Sequence, residues 1–255
     1  GLLIAARQSD LARLQAYQVG DRLKSLGHEI QYHFRESLGD INQSDPLWKM
    51  PEKGVFTEDF REGLEKGEWD MVVHSWKDLP IDPLPQTELA ATLPRADARD
   101  VLIFKKSHLQ KAKKNKTVKV YSSSPRRIYN LTPFLKKSLP FEIDNIQFDS
   151  VRGNILTRVK KLINDDQVSG LVVAKAAIDR LLSVTEEEFL AGQKELRDYL
   201  GQCLFQVLPL SQNPTAAAQG ALAIEIRKDE KISRKFSLKS IARKLGIKPH
   251  MNVKY

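Results

Sequence analysis

The sequence predicts an α/β protein of two lobes on mixed, mainly parallel sheets, the second lobe inserted in the first, with an interlobe cleft. Three observations carry this. Apolar strand-like runs alternate with amphipathic helical stretches along most of the chain, the order that builds parallel sheets through crossover helices. The 255 residues, 41% hydrophobic, are enough for two cores. No repeat or low-complexity linker breaks the alternation, and a second strand series begins near Pro94. Residues 1–93 with 215–255 are therefore assigned to lobe 1 and 94–214 to lobe 2.

Leu2–Ala6 is an apolar first strand. Leu11, Leu14, Tyr17 and Leu26 follow on a helical pattern, with Ser9 placed as N-cap and Gly27 as terminator. In Glu29–Arg35 the residues Ile30, Tyr32 and Phe34 alternate, which is strand period. A polar loop leads to a short helix bearing Phe56, Phe60 and Leu64, and then to the strand Trp69–Val73. In the second series Val101–Phe104 and Val118–Tyr121 read as strands, and Ser124-Pro125 opens a helix with Ser at N-cap and Pro at the first helical position. The strand Glu142–Phe148, a helix from Arg152, the strand Gly170–Ala174 and a helix through Leu182 continue the series. Ala221–Ile226 is a last strand and 231–245 a last amphipathic helix.

Composition narrows the function. No stretch approaches the ~18 apolar residues of a membrane-spanning helix, and the short apolar run at Gly1–Ala6, with no basic segment before it, reads as a buried strand and not as a signal peptide. The single cysteine, Cys203, excludes an intrachain disulfide and a cysteine-based zinc site. The five histidines have no metal-ligand spacing, so no metal is expected, and a reducing cytoplasm fits best. Of the net charge of +9, residues 105–119 hold +7 and 227–255 hold +8, leaving −6 for the rest. The chain is thus no uniformly basic nucleic-acid binder, and both segments read as solvated faces. GxGxxG, Walker A and the nucleophile elbow are missing, which removes dinucleotide, kinase and esterase readings.

Chemistry gathers in four loops after predicted strands, the places that line ligand crevices in open parallel sheets. They are Ala6-Arg7-Gln8-Ser9; His74-Ser75-Trp76-Lys77-Asp78-Leu79-Pro80; Ser122-Ser123-Ser124-Pro125-Arg126-Arg127; and Val151-Arg152-Gly153-Asn154 with Thr157 and Arg158 one turn on. Three of them put Arg near a helix N-terminus, which already favours anions, and Arg grips carboxylate as a fork. Taken singly, each arginine reads as a surface residue, the triple serine as a cap and turn, and Asp78 as a turn acid before Leu79-Pro80. Their recurrence in successive loops points instead to a ligand with several carboxylates or phosphates. Asp78 beside Lys77, near this basic set, suits stabilising a cationic intermediate or moving protons on a polyanionic substrate.

At these loops the sequence resembles the porphobilinogen deaminase (hydroxymethylbilane synthase) family. Ile4 to Ser9 with Leu11-Ala12 is similar to its first-strand motif, Lys49 with Lys53-Gly54-Val55-Phe56 to its lysine loop, and Val73 to Pro80 to its catalytic aspartate segment. Ser122 to Arg127, Arg152-Gly153-Asn154 with Thr157-Arg158, Arg180, and Ala218-Gln219-Gly220-Ala221 with Ile224-Glu225 follow in the same order, so the likeness covers about 1–227. The resemblance implies two periplasmic-binding-protein-like lobes, a cytoplasmic role in heme and other tetrapyrrole biosynthesis, and a transferase that joins four porphobilinogens head to tail onto a dipyrromethane. It implies that Asp78 stabilises positive charge on the pyrrole as ammonia leaves and the azafulvene forms. The arginines and Lys53 would pair with acetate and propionate groups, and Ser9, Lys49, Ser75, Lys77, Gly153, Arg180 and Gln219 would complete the binding set.

The family's cofactor cysteine lies in a Glu-Gly-Gly-Cys loop of a third domain, and no such loop occurs in these 255 residues. Cys203, beside Leu204-Phe205, is expected to be a small core or surface residue, so the dipyrromethane is expected to be held without a covalent link. Three functions follow: a divergent deaminase, a non-catalytic binding protein for a linear tetrapyrrole or other polycarboxylate, or an adaptor that binds an acidic partner or nucleic acid through 227–255. Asp78 favours the first and the missing cysteine loop the second, while nothing in the four loops asks for nucleic acid. No helix pattern asks for a membrane.

Overall fold

The computed structural model describes residues 1–41, 57–80 and 85–228, which gather into two units: Gly1–Ala96 with the chain returning from Ala217, and Asp97–Ala216. The expected helix at 231–245 lies outside the described residues.

In the first unit, strand β1 (Leu2–Arg7) runs into helix α1 (Asp10–Ser25). Ser9 caps that helix, its hydroxyl accepting from the Ala12 amide at 3.4 Å, and Asp10 places an acid at the positive end of the helix dipole. Gly27 turns the chain away at φ +89°, a conformation that side chains resist. Strand β2 (Ile30–Arg35) pairs parallel with β1 and packs Ile30, Tyr32 and Phe34 on the apolar layer beneath α1. A one-turn helix, α2 (Leu38–Ile41), helix α3 (Glu58–Lys66), strand β3 (Met71–Ser75) and strand β4 (Thr87–Ala91) follow. Strand β10 (Leu222–Arg227) arrives last and completes the sheet order β2-β1-β3-β10-β4, antiparallel to both of its neighbours.

Side chains alternate across this sheet, so both faces are covered. Ile4 and Ala6 join Val19 and Leu23 of α1 on one face, and Ala5 joins Phe60 and Leu64 of α3 on the other. The third strand starts at Met71 and not at the expected Trp69, because Trp69 is an anchor for α3. Its indole donates to the Phe60 carbonyl at 2.9 Å, and its ring lies so close to Gly63 that a Cβ there would sit 1.9 Å from it.

The second unit repeats this plan. Its elements are β5 (Asp100–Lys105), α4 (Leu109–Asn115), β6 (Thr117–Tyr121), α5 (Pro125–Ser138), β7 (Asn145–Asp149), α6 (Ile155–Asn164), β8 (Gly170–Ala174), α7 (Lys175–Ser183), α8 (Glu187–Leu200) and β9 (Cys203–Val207). The sheet order is β7-β6-β8-β5-β9, again with the antiparallel strand, here β5, in the fourth position. Each sheet is therefore mixed and mainly parallel. Leu102, Val118 and Leu131 fill one face, and Ile103, Leu171 and Val159 the other. Cys203 belongs to that second layer, 3% exposed, with its Sγ 3.6 Å from the Tyr199 carbonyl, and burial pushes its thiol pKa up.

Helices α4 and α8 and strand β4 carry weak patterns. Ala112 is the one buried residue of α4, which the lysine run disguises as a solvated loop. Strand β4 reads Thr-Glu-Leu-Ala-Ala, poor in the β-branched and aromatic residues that mark strands.

Candidate functional site

In unit 1 the carboxyl ends of β1 and β3 lie side by side. Arg7 ends β1 and forms a forked pair with Asp40, Nε to Oδ2 at 3.0 Å with Nη2 on Oδ1. Burial alone would raise the Asp40 pKa, but the hydrogen bonds and charge of Arg7, with the Ser37 hydroxyl and amide, outweigh it and hold the carboxyl below its ordinary value. Ser75 ends β3 and donates to Gln15 Oε1 at 3.2 Å. The chain then enters a 3-10 turn, Trp76–Asp78, which carries Lys77 and Asp78. That turn is fixed at both ends: the Trp76 amide donates to the Ala221 carbonyl at 3.0 Å, and Leu79 is buried with its amide on Trp76 O. Asp78, Arg7, Gln15 and Ser75 line one cavity of about 20 Å³, floored by Phe60 and Val72. A space of that size admits a water-sized group, so a larger ligand would meet these side chains at the mouth.

Behind the turn lies a buried charge cluster. Glu225, fully buried on β10, accepts from Arg61 Nε at 2.9 Å and Thr87 Oγ1 at 2.6 Å and lies 2.7 Å from His74 Nε2. The residue that leads into Ser75 is thus tied to the neighbouring antiparallel strand β10. Gln219, expected in the binding set, is 1% exposed, and its carbonyl accepts from Arg95 Nε at 2.8 Å. Ala218 beside it adopts φ +60°, so this turn holds a residue in the left-handed region.

In unit 2 the triple serine is occupied locally. Ser122 Oγ accepts from the Ser124 amide at 3.3 Å, Ser123 Oγ bridges both backbone groups of Val151 at 2.8 and 2.9 Å, and Ser124 caps α5 through the Arg127 amide. Ser123 thereby joins the loop after β6 to the loop after β7. In the latter, Gly153 takes φ +109°, Asn154 caps α6 by accepting from the Thr157 amide at 2.9 Å, and Arg158 Nε donates to the Gly153 carbonyl at 2.7 Å. Arg152 precedes this cap, half-buried. Arg180 lies in the last turn of α7, where burial lowers its pKa. Arg126 and Arg127 converge on Asp100, a buried carboxylate that sequence reasoning passed over. Lys49 and Lys53 lie outside the described residues.

The structure thus brings Arg7, Ser75 and Asp78 together in unit 1, and in unit 2 it joins Ser123 to the Val151 loop and Arg126 to Arg127. Asp100, Asp40 and Gln15 were missed, and Glu225 was named only within the Ile224-Glu225 motif, not as a site residue. Two of them left a signal: Asp100 opens an apolar run and Glu225 interrupts one, and an acid at such a place demands a buried partner. Among the described residues no group of three or more His, Cys, Asp or Glu could hold a metal ion, and no helix is long and apolar enough to cross a membrane.

Comparison with known proteins agrees with the loop motifs. The family model described as porphobilinogen deaminase, dipyromethane cofactor binding domain, matches residues 2–235. A protein of Picrophilus torridus described as a probable porphobilinogen deaminase is 41% identical over 178 residues, 70% of this chain and 59% of that one. The porphobilinogen deaminase of Syntrophomonas wolfei is 33% identical over 232 residues, 90% of this chain and 67% of that one. Among solved structures, a sulfonate-binding protein of Methylobacillus flagellatus superposes with a TM-score of 0.42 at 13% identity, over 89% of this chain and 61% of that one. The match to the first of these relatives spans about three fifths of its length. With its family model matched from the first of the described strands to beyond the last of them, this chain belongs to the porphobilinogen deaminase family.

Proposed function

We propose that this chain supplies the pyrrole-binding, ammonia-releasing part of a porphobilinogen deaminase. One observation carries the reading: Asp78 sits on a fixed turn at a pocket that also presents Arg7, Gln15 and Ser75. A carboxylate held among hydrogen-bonding groups suits a pyrrole that becomes cationic while its own acid side chains are gripped. Asp78 would stabilise positive charge on the pyrrole nitrogen as the aminomethyl C–N bond breaks and its electron pair departs with ammonia. The carbon left behind bonds to the free α-carbon of the growing chain, which loses a proton. Arg126, Arg152 and Arg158 in unit 2, with Lys49, Lys53 and Lys77 in unit 1, are the candidates for the acetate and propionate groups. Titration with porphobilinogen and an ammonia assay test this together. Saturable binding with ammonia release is expected, binding without release would leave a non-catalytic binding protein, and no binding would overturn both.

The donor set fits the carboxylates of a dipyrromethane, which when bound would supply the free α-carbon that starts the chain. Its thioether is another matter, since Cys203 is buried among Val159, Leu162 and Leu196. Denaturing mass spectrometry after incubation with porphobilinogen is therefore expected to show unmodified chain, and Cys203→Ser the same. A two-pyrrole adduct that vanishes in Cys203→Ser would refute non-covalent retention.

A further inference from the structure

Asp100 opens β5 with its carboxylate wholly buried and donors from Arg126, Arg127 and Asn213 upon it. Arg127 Nη2 reaches Oδ1 at 2.8 Å, while Arg127 Nε at 3.1 Å, Arg126 Nη2 at 3.1 Å and Asn213 Nδ2 at 2.9 Å reach Oδ2. The two arginines are not equivalent. Arg127 is buried, and its remaining Nη1 donates to the Val172 carbonyl at 3.3 Å. Arg126 keeps 27% of its side chain exposed, and Nη1 lies on the Pro214 carbonyl at 2.8 Å. A ligand arriving here meets Arg126, with Arg127 as its anchor. Two guanidiniums against one carboxylate leave the set a single net positive charge.

Two arginines in the first turn of a helix, preceded by serines, are otherwise the makings of a phosphate site. A phosphate dianion would need both positive charges, and Asp100 cancels one of them from inside the fold. We infer that Asp100 is a specificity-determining residue, which limits the Arg126–Arg127 set to one positive charge so that it accepts a singly charged carboxylate and refuses a phosphate dianion. The inference rests on the reading of Arg126 as a carboxylate ligand in the proposed function, and it adds the choice between anions.

Inorganic phosphate, titrated into the full chain by calorimetry at constant ionic strength, tests it, with melting temperature followed in phosphate and in chloride. Wild type is expected to bind phosphate only weakly. Asp100→Asn should bind phosphate at least about tenfold more tightly, a discounted effect for one partly screened charge, and should melt higher in phosphate than in chloride. Adding Arg127→Met to Asp100→Asn restores the single charge and should return phosphate affinity to the wild-type level. Equal affinity in wild type and Asp100→Asn, or undiminished affinity in the double variant, would overturn the inference. An Asp100→Asn chain that folds only in phosphate supports it, and one unfolded in both salts counts against it. Porphobilinogen titration of the wild type reports separately on the proposed function, so the two can fail independently.

Discussion

Replacing Asp78 by Asn is expected to lower ammonia release from porphobilinogen by about 10²–10³-fold, the usual cost of removing one group aimed at transition-state charge. Affinity for porphobilinogen should stay within about threefold, because the arginines proposed as carboxylate ligands would grip equally before and during reaction. The asparagine keeps the size of the side chain and its place on the Trp76–Asp78 turn, which is fastened through Trp76 and Leu79 and not through Asp78. A folding defect is therefore not expected. Single-turnover ammonia release and calorimetric affinity on both proteins separate the two quantities, and unchanged turnover would take Asp78 out of the chemistry.

Glu225→Leu is expected to cost about 3–5 kcal/mol of folding stability, since it leaves the Arg61 guanidinium in the interior without its carboxylate. Urea unfolding monitored through Trp69, whose indole rests on α3, gives the value directly. The same residue shapes the acid limb. Burial pushes the Glu225 pKa upward, but the hydrogen bonds of His74 and Thr87 and the charges of His74 and Arg61 outweigh burial and leave it below the ordinary glutamate value. A depressed pKa contributes stability that is present above the unfolded value of about 4.3 and is lost as pH falls through the lower folded one. Wild type should therefore lose stability more steeply than Glu225→Gln below about pH 4. Parallel acid limbs in the two proteins would show that the cluster does not couple to protons.

Patterns with strong local causes were legible in the sequence. The cap at Ser9, the Ser124-Pro125 helix start and the apolar run Gly170–Ala174 each need only their neighbours, and each stands where the sequence places it. Helix α4, with Ala112 alone buried, left no stripe to read. The loops bearing Arg7, Asp78, Arg126 and Arg152 were legible as a candidate site because their residue types recur after successive strands. Their partners were not. Asp40 lies 33 residues from Arg7, Asp100 lies 27 from Arg127, and Glu225 lies 164 from Arg61, so no local pattern links either member to the other. Whether an arginine greets a ligand or anchors a strand is settled by that distant acid.

The position of β10 has a consequence for how the protein is made. It separates β3 from β4 in the first sheet, so β4 has no neighbour to join until β10 has left the ribosome. Roughly 130 residues lie between the end of β4 and the start of β10, a delay on the order of ten seconds at ordinary translation speeds. The second unit, contiguous from Asp97 to Ala216, has every strand of its own sheet available by then. The second unit can thus finish folding first, while the first waits with the edge of β3 open.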